Sequence, residues 1–333
     1  MSHSSIGLLC NAVIPIFTGS FATLSLPPDA KRKLKKAGLY TDKDEDDTML
    51  ERVTAQEAYL FPIIGSATLL SLYLAFKYLD QALINKIIGG YVRIMGVFAL
   101  TNAISTINKR LLSFLRTAYL RATSFTIAAS IVAYQYFVKS HWFLENLSGL
   151  ALSFTAIKYL MLDSFRTGTI LLTGLFFYDI WWVFGTDVMV SVATNFDAPI
   201  KLTFPRDLND PSLGLSMLGL GDIVVPGIFL SLALRFDYNL ALNRSKLPFE
   251  PSSPFPKPYF AITLGFYIIG LITTMCVMHV FQAAQPALLY LSPACIFSLY
   301  GTAYIRGELN EVLEFKENWE EEEEEGKEGI KQK

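Results

Sequence analysis

An acid inside an apolar run is the feature that most restricts what this chain can fold into. Residues 213–234 are long and apolar enough to cross a bilayer as a helix. In their midst stands Met217-Leu218-Gly219-Leu220-Gly221-Asp222-Ile223-Val224-Val225-Pro226. A carboxylate near the centre of a spanning helix costs about 2.5–3.5 kcal/mol on insertion scales, so a helix with only a structural task has no reason to keep one. Gly219 and Gly221 weaken the helix and remove bulk beside Asp222, which lets another group approach the backbone. A second run, 171–190, carries Asp179 near its middle. Two intramembrane acids on neighbouring spans are expected to face each other.

Composition supports a chain that lies mostly in lipid. Hydrophobic residues make up 52% and charged residues 17%, against about 25% charged in soluble domains, and the mean hydropathy is +0.37. The net charge of −2 says nothing about partners, because the charges are segregated into loops and a tail. Cys10, Cys276 and Cys295 all lie in apolar runs and read as packing residues. Only His3, His141 and His279 are present, scattered, so no metal site and no cofactor is expected. Nor does anything suggest nucleic-acid binding. The first apolar stretch lacks a basic leader, so no cleavable signal peptide is expected.

Hydropathy predicts an all-α polytopic membrane protein of about nine spans, near 6–26, 59–79, 87–107, 123–138, 147–162, 171–190, 213–234, 259–281 and 286–304. Lys158, inside the fifth, is expected to snorkel near an end. Three regions follow. Residues 1–165 hold spans one to five, with a basic then acidic loop at 27–58. Residues 166–305 hold the acid-bearing spans six to nine, and 306–333 form a solvated acidic tail. Lysine and arginine concentrate in the odd-numbered connections and the tail. That bias predicts a lumenal N-terminus and a cytosolic C-terminus. On this topology Asp179 and Asp222 lie at similar depth on antiparallel neighbours, and Asp187 lies nearer the interface.

The connection between the acid-bearing spans contains the alternating, proline-bounded segment Asp197-Ala198-Pro199-Ile200-Lys201-Leu202-Thr203-Phe204-Pro205. It reads either as a surface turn or as an exposed strand edge able to pair with an extended substrate.

Two carboxyls sharing a site hold a single proton between them over a working pH range. The ionised one activates water for attack on an amide carbonyl; the protonated one assists the oxygen and then the leaving nitrogen. Helical substrate would have to unwind first, and Gly219, Gly221 and the break at Gln285-Pro286 suit a site that receives unwound peptide. Paired acids also serve proton relays and ion coupling in transporters, or structural pairing with a buried base. No basic residue sits deep in spans six to nine, which disfavours the last option. Tyr178 is equally a hydrogen-bond partner for Asp179 or a packing aromatic.

Tyr178-Asp179, Gly219-Leu220-Gly221-Asp222 and Gln285-Pro286-Ala287-Leu288-Leu289-Tyr290 stand in order on successive spans. In this they resemble the intramembrane aspartyl proteases of the presenilin and signal peptide peptidase class. Phe177-Tyr178-Asp179, Ala198-Pro199-Ile200-Lys201-Leu202, Phe61-Pro62-Ile63-Ile64 and His141-Trp142 are more similar to signal peptide peptidase than to presenilin. The resemblance implies a presenilin-like fold with nine spans and a lumenal N-terminus, in the endoplasmic reticulum membrane. It implies cleavage of remnant signal peptides and other type II membrane segments. The catalytic pair would be Asp179 and Asp222. Tyr178, Gly219, Leu220, Gly221, Gln285, Pro286, Ala287 and Leu288 would shape the site. It also leaves room for a non-proteolytic scaffold role in membrane-protein quality control, for complex partners there, and for a homo-oligomer. The sequons at Asn146 and Asn243 offer a check on orientation: Asn243 is expected to be cytosolic and bare, Asn146 lumenal and too near the membrane to be modified.

Overall fold

The computed structural model describes residues 3–24, 51–111, 117–137, 141–186, 188–195, 201–205, 215–245, 253–281 and 285–317. Most of the basic and acidic loop, the acidic tail, Asp187 and residues 198–200 lie outside them. The helices in order are α1 (His3–Ala22), α2 (Ala55–Tyr78), α3 (Gln81–Leu111), α4 (Thr117–Phe137), α5 (Trp142–Tyr159), α6 (Phe165–Phe184), α7 (Val188–Asn195), α8 (Gly221–Arg244), α9 (Pro258–Phe281), α10 (Leu288–Arg306) and α11 (Leu309–Glu314). Four short strands lie between them: β1 (Glu51–Val53), β2 (Leu160–Leu162), β3 (Lys201–Pro205) and β4 (Leu215–Gly219).

Among the described residues seven helices are long and apolar enough to cross a membrane: α1, α2, α3, α6, α8, α9 and α10. The helices near the expected fourth and fifth spans, α4 and α5, form but fall short of that hydropathy. Their polar residues explain this. Gln135 on α4 and Asn146, Ser148 and Ser153 on α5 are buried inside the bundle rather than facing lipid. Lys158 is the penultimate residue of α5, as expected of a snorkelling lysine.

The bundle is organised around α8. In its most apolar window 83% of residues are buried, against 6% for α2 on the periphery. A helix apolar on every side needs neighbours on every side, and α1, α5, α6, α9 and α10 supply them. Close approach of α6 to α8 depends on Gly168, where a β-carbon would lie 2.6 Å from Phe229 Cδ2. Phe165, Phe229 and Phe236 stack edge-on there, within the main apolar core.

One end of the bundle is tied together by polar contacts. Strand β1 pairs in parallel with β2, and Ser164 bridges to Lys316. Arg235 of α8 is buried, pairs with Glu317, and reaches the Leu162 carbonyl at 3.5 Å. Asp237 accepts from the amides of Tyr259 and Phe260 at 3.2 and 2.8 Å, so it satisfies the otherwise free amides at the start of α9. Hydropathy did not single out Asp237. Glu308 takes Arg244, Arg306 and the Tyr259 hydroxyl on one carboxylate.

Two expectations need correction. Residues 215–219 are not the first turns of a spanning helix: they form β4, antiparallel to β3, with Leu202 opposite Leu218 and Thr203 opposite Met217. Asp222 therefore lies in the first turn of α8, not mid-helix. The run is apolar throughout, and length with hydropathy alone does not separate a buried strand from a helix. The second correction concerns the strand edge. The outer edge of β3 is not open, because the Asn146 side chain occupies it: Nδ2 donates to the Thr203 carbonyl at 2.6 Å, and Oδ1 accepts from the Thr203 amide at 2.8 Å.

Candidate active site

Asp179 is the fifteenth residue of α6 and only 4% exposed. Asp222 is the second residue of α8 and half-buried. Both helices start from, or return to, the boundary where Arg235 meets Leu162. Counting along each helix at 1.5 Å per residue puts both carboxyl-bearing residues about 20 Å from that boundary. Helices α6 and α8 are in contact. The equal depth expected from the sequence is realised, although by a strand-to-helix transition.

Each acid lies close to the backbone of another segment or turn. The Leu288 N–H donates to Asp179 Oδ2 at 3.1 Å. That amide is free because Leu288 is the first residue of α10, and the first amides of a helix have no partner within it. Pro286 and Ala287 are buried just ahead of it and turn the chain into the helix. The carboxylate of Asp222 lies against the backbone at Gly219, where a β-carbon would stand 3.3 Å from its Oδ2.

The backbone carbonyl of Asp222 has its own partner. Pro226 sits four residues on and has no N–H to donate to it. The buried Tyr267 hydroxyl of α9 donates instead, at 3.3 Å. Tyr267 was missed from the sequence. The only trace there is a proline four residues after the acid, and that does not say which side chain replaces the lost bond.

The remaining predicted residues divide. A β-carbon on Gly219 would lie 3.3 Å from Asp222 Oδ2, whereas one on Gly221 would meet nothing within 4 Å. Gly219 thus permits close approach of the backbone to the acid; Gly221 opens space beside it. Leu220 packs against the main core and faces Gly149 of α5. The ring of Tyr178 is turned toward Gly65 of α2 and stacks near Trp182, so it is a packing aromatic here. Gln285 is half-buried immediately before the Pro286 turn.

The hairpin extends the site. Thr203 turns both of its backbone groups away from β4, toward Asn146. In an antiparallel ladder the residue opposite then turns both of its own outward as well. Met217 is that residue, and Gly219, two further on, points the same way, toward Asp222. Among the described residues no strand pairs with this outer edge of β4. An unpaired strand edge therefore runs directly into an acid. Among the described residues no group of three or more His, Cys, Asp or Glu side chains is placed to hold a metal.

Residues 44–319 match the family of signal peptide peptidases. The chain belongs to the signal peptide peptidase family. Human signal peptide peptidase is 39% identical over 93% of this chain and 82% of its own length. A probable intramembrane protease of Schizosaccharomyces pombe is 38% identical over 85% of this chain and 90% of its own length. The fold is that of a presenilin family intramembrane aspartate protease, superposable with a TM-score of 0.50 over 90% of this chain and 99% of the other at 15% identity. This signal peptide peptidase family member is accordingly an aspartic intramembrane protease, a multi-pass membrane protein acting on membrane-embedded protein segments.

Proposed function

We propose that Asp179 and Asp222 are the catalytic pair of this protease and that its substrates are remnant signal peptides and other type II membrane segments. The carrying observation is that two acids lie at one depth on the contacting helices α6 and α8, Asp179 held by the Leu288 amide and Asp222 set against Gly219. One carboxylate takes a proton from water as it attacks the scissile carbonyl. The other donates its proton to the carbonyl oxygen. As the C–N bond of the tetrahedral gem-diol breaks, the first carboxyl passes its proton to the leaving nitrogen and a gem-diol hydroxyl returns its proton to the second carboxylate, so the pair ends with the single proton it began with. Gly221 and the outer edge of β4 leave room for extended peptide; Leu220, Gln285, Pro286, Ala287 and Leu288 shape the wall around Asp179 and Asp222. An extended substrate segment pairs with the β4 edge and so brings its peptide bonds, rather than buried helical ones, to the acids.

The signal-peptide substrates follow from kinship with human signal peptide peptidase, and the endoplasmic reticulum membrane follows from that class. Nine spans with a lumenal N-terminus and a cytosolic C-terminus agree with the distribution of Lys and Arg. The boundary tied by Arg235, Asp237 and Glu308 is then the cytosolic one, and Asn243 carries no glycan; a glycan on Asn243 would reverse the orientation. Residues 166–305 act as the catalytic half on a scaffold formed by 1–165.

The test is cleavage of a signal-peptide-derived transmembrane segment by the purified, detergent-solubilised protein, beside Asp179→Asn and Asp222→Asn. Both variants are expected to fold and to lose at least 1000-fold in turnover, in line with the usual worth of a positioned acid or base, about 10²–10⁴-fold for each role. Near-normal turnover by either variant would remove that residue from the mechanism.

A further inference from the structure

We propose that Asn146 is a positioning residue for proteolysis: its side-chain amide acts as a one-residue strand that caps the outer edge of β3 at Thr203, leaves the β4 side of this hairpin as the edge open to substrate, and sets the register in which peptide reaches Asp222. This rests on the reading that substrate pairs with β4.

Asparagine suits the task because its amide carries one acceptor and one donor in a fixed plane, as a backbone peptide does. Here both are used on a single residue, Thr203, 57 positions away, at 2.6 and 2.8 Å. The side chain is 3% exposed, so neither bond is in competition with bulk water. Flanking contacts seat the same strand. A β-carbon at Gly149 would lie 2.8 Å from Leu202 Cδ2, and one at Gly7 would lie 2.4 Å from Phe204 Cε2. The rings of Trp142 and Phe204 stack with centroids 5.3 Å apart. Helices α1 and α5 therefore receive β3 as a rigid third surface.

What Asn146 holds is then passed on through the ladder. Thr203 is opposite Met217, and Lys201 is opposite Gly219. Gly219 lies against the Asp222 carboxylate. A slip of β4 against β3 by one residue would turn every β4 side chain over and take the backbone at Gly219 out of register with the acid. Asn146 also belongs to a sequon. Its Nδ2 is committed to the Thr203 carbonyl, so the folded enzyme carries no glycan there, whichever side of the membrane it faces.

The experiment compares full-length Asn146→Leu, Asn146→Asp and Met217→Pro with the parent, on one signal-peptide-derived segment, with products resolved by mass spectrometry. Leucine has a similar size and neither hydrogen bond. Aspartate is isosteric, keeps the acceptor for the Thr203 amide and loses the donor, so it serves if the leucine variant does not fold. Met217→Pro removes an outward amide that the ladder does not use, a position where proline is tolerated. Asn146→Leu is expected to lower kcat at least tenfold with a smaller change in KM, and to spread cleavage over neighbouring bonds; Asn146→Asp should fall between. An unchanged product ratio would overturn the proposal, whether turnover is normal or uniformly lowered with stability, since a merely structural residue changes the amount of product and not its register. If Met217→Pro cleaves at the parent rate and bonds, the β4-edge reading fails and takes the proposal with it. If Met217→Pro alters cleavage while the Asn146 variants do not, the edge reading stands and only the role of Asn146 falls.

Discussion

The backbone amide of Leu288 donates to Asp179 Oδ2 at 3.1 Å across 109 residues of chain. It comes from the first turn of α10, so the helix is joined to the acid by a backbone group that no substitution except proline removes. Replacing Leu288 by its α-hydroxy acid keeps the side chain and deletes the N–H. A hydrogen bond to a charged acceptor contributes about 1.5–3 kcal/mol, so turnover is expected to fall roughly 10- to 100-fold. Single-turnover cleavage measures it; a change below twofold would mean that the amide does not position Asp179.

The two glycines before Asp222 are predicted to behave differently, although the motif presents them as equivalents. Gly219→Ala sets a methyl 3.3 Å from Asp222 Oδ2 and should cut kcat at least tenfold. Gly221→Ala meets nothing within 4 Å, at the first position of α8. It should keep most activity and raise stability by up to about 0.5–1 kcal/mol, the usual gain of alanine over glycine in a helix. Equal losses for both would argue against this assignment.

Tyr267→Phe removes the hydroxyl that serves the Asp222 carbonyl left free by Pro226. An unsatisfied buried acceptor costs about 1–3 kcal/mol. Pro226→Ala returns an amide to that carbonyl, so Tyr267→Phe should cost less stability in its presence. A double-mutant cycle of thermal or denaturant unfolding reads this coupling directly; strict additivity would show that the two residues act separately.

Glu308 sets an acid limit on stability. Burial pushes its carboxyl up, and hydrogen bonds from Arg306, Tyr259 and Arg244 more than reverse this, holding it down to about 2 from an ordinary 4.5. A group depressed on folding stabilises above its unfolded value, and that stability is lost as pH falls from about 4.5 toward 2. Glu308→Gln should melt lower at pH 7 and lose less on acidification through this window. Equal losses of melting temperature for the two proteins between pH 7 and about pH 3 would contradict it.

Asp179 and Asp222 were legible in the sequence because an acid in a lipid-length apolar run is costly wherever it occurs, and the run around each is set by local composition. The break at Gln285-Pro286 was legible for a similar reason, since proline limits its own neighbourhood. Hydropathy could not tell that 215–219 is a strand: an apolar strand and an apolar helix have the same composition, and the partner that decides between them, β3, lies across a loop. Asn146 read only as a glycosylation sequon, and neither Asp237 nor Tyr267 was singled out. Their roles depend on Thr203, on the amides of Tyr259 and Phe260, and on the Asp222 carbonyl. The sequence by itself determined which chemical groups enter the membrane. Only the tertiary structure decided which buried backbone groups they satisfy, because a hydrogen bond between distant segments leaves no periodic or compositional mark on either one.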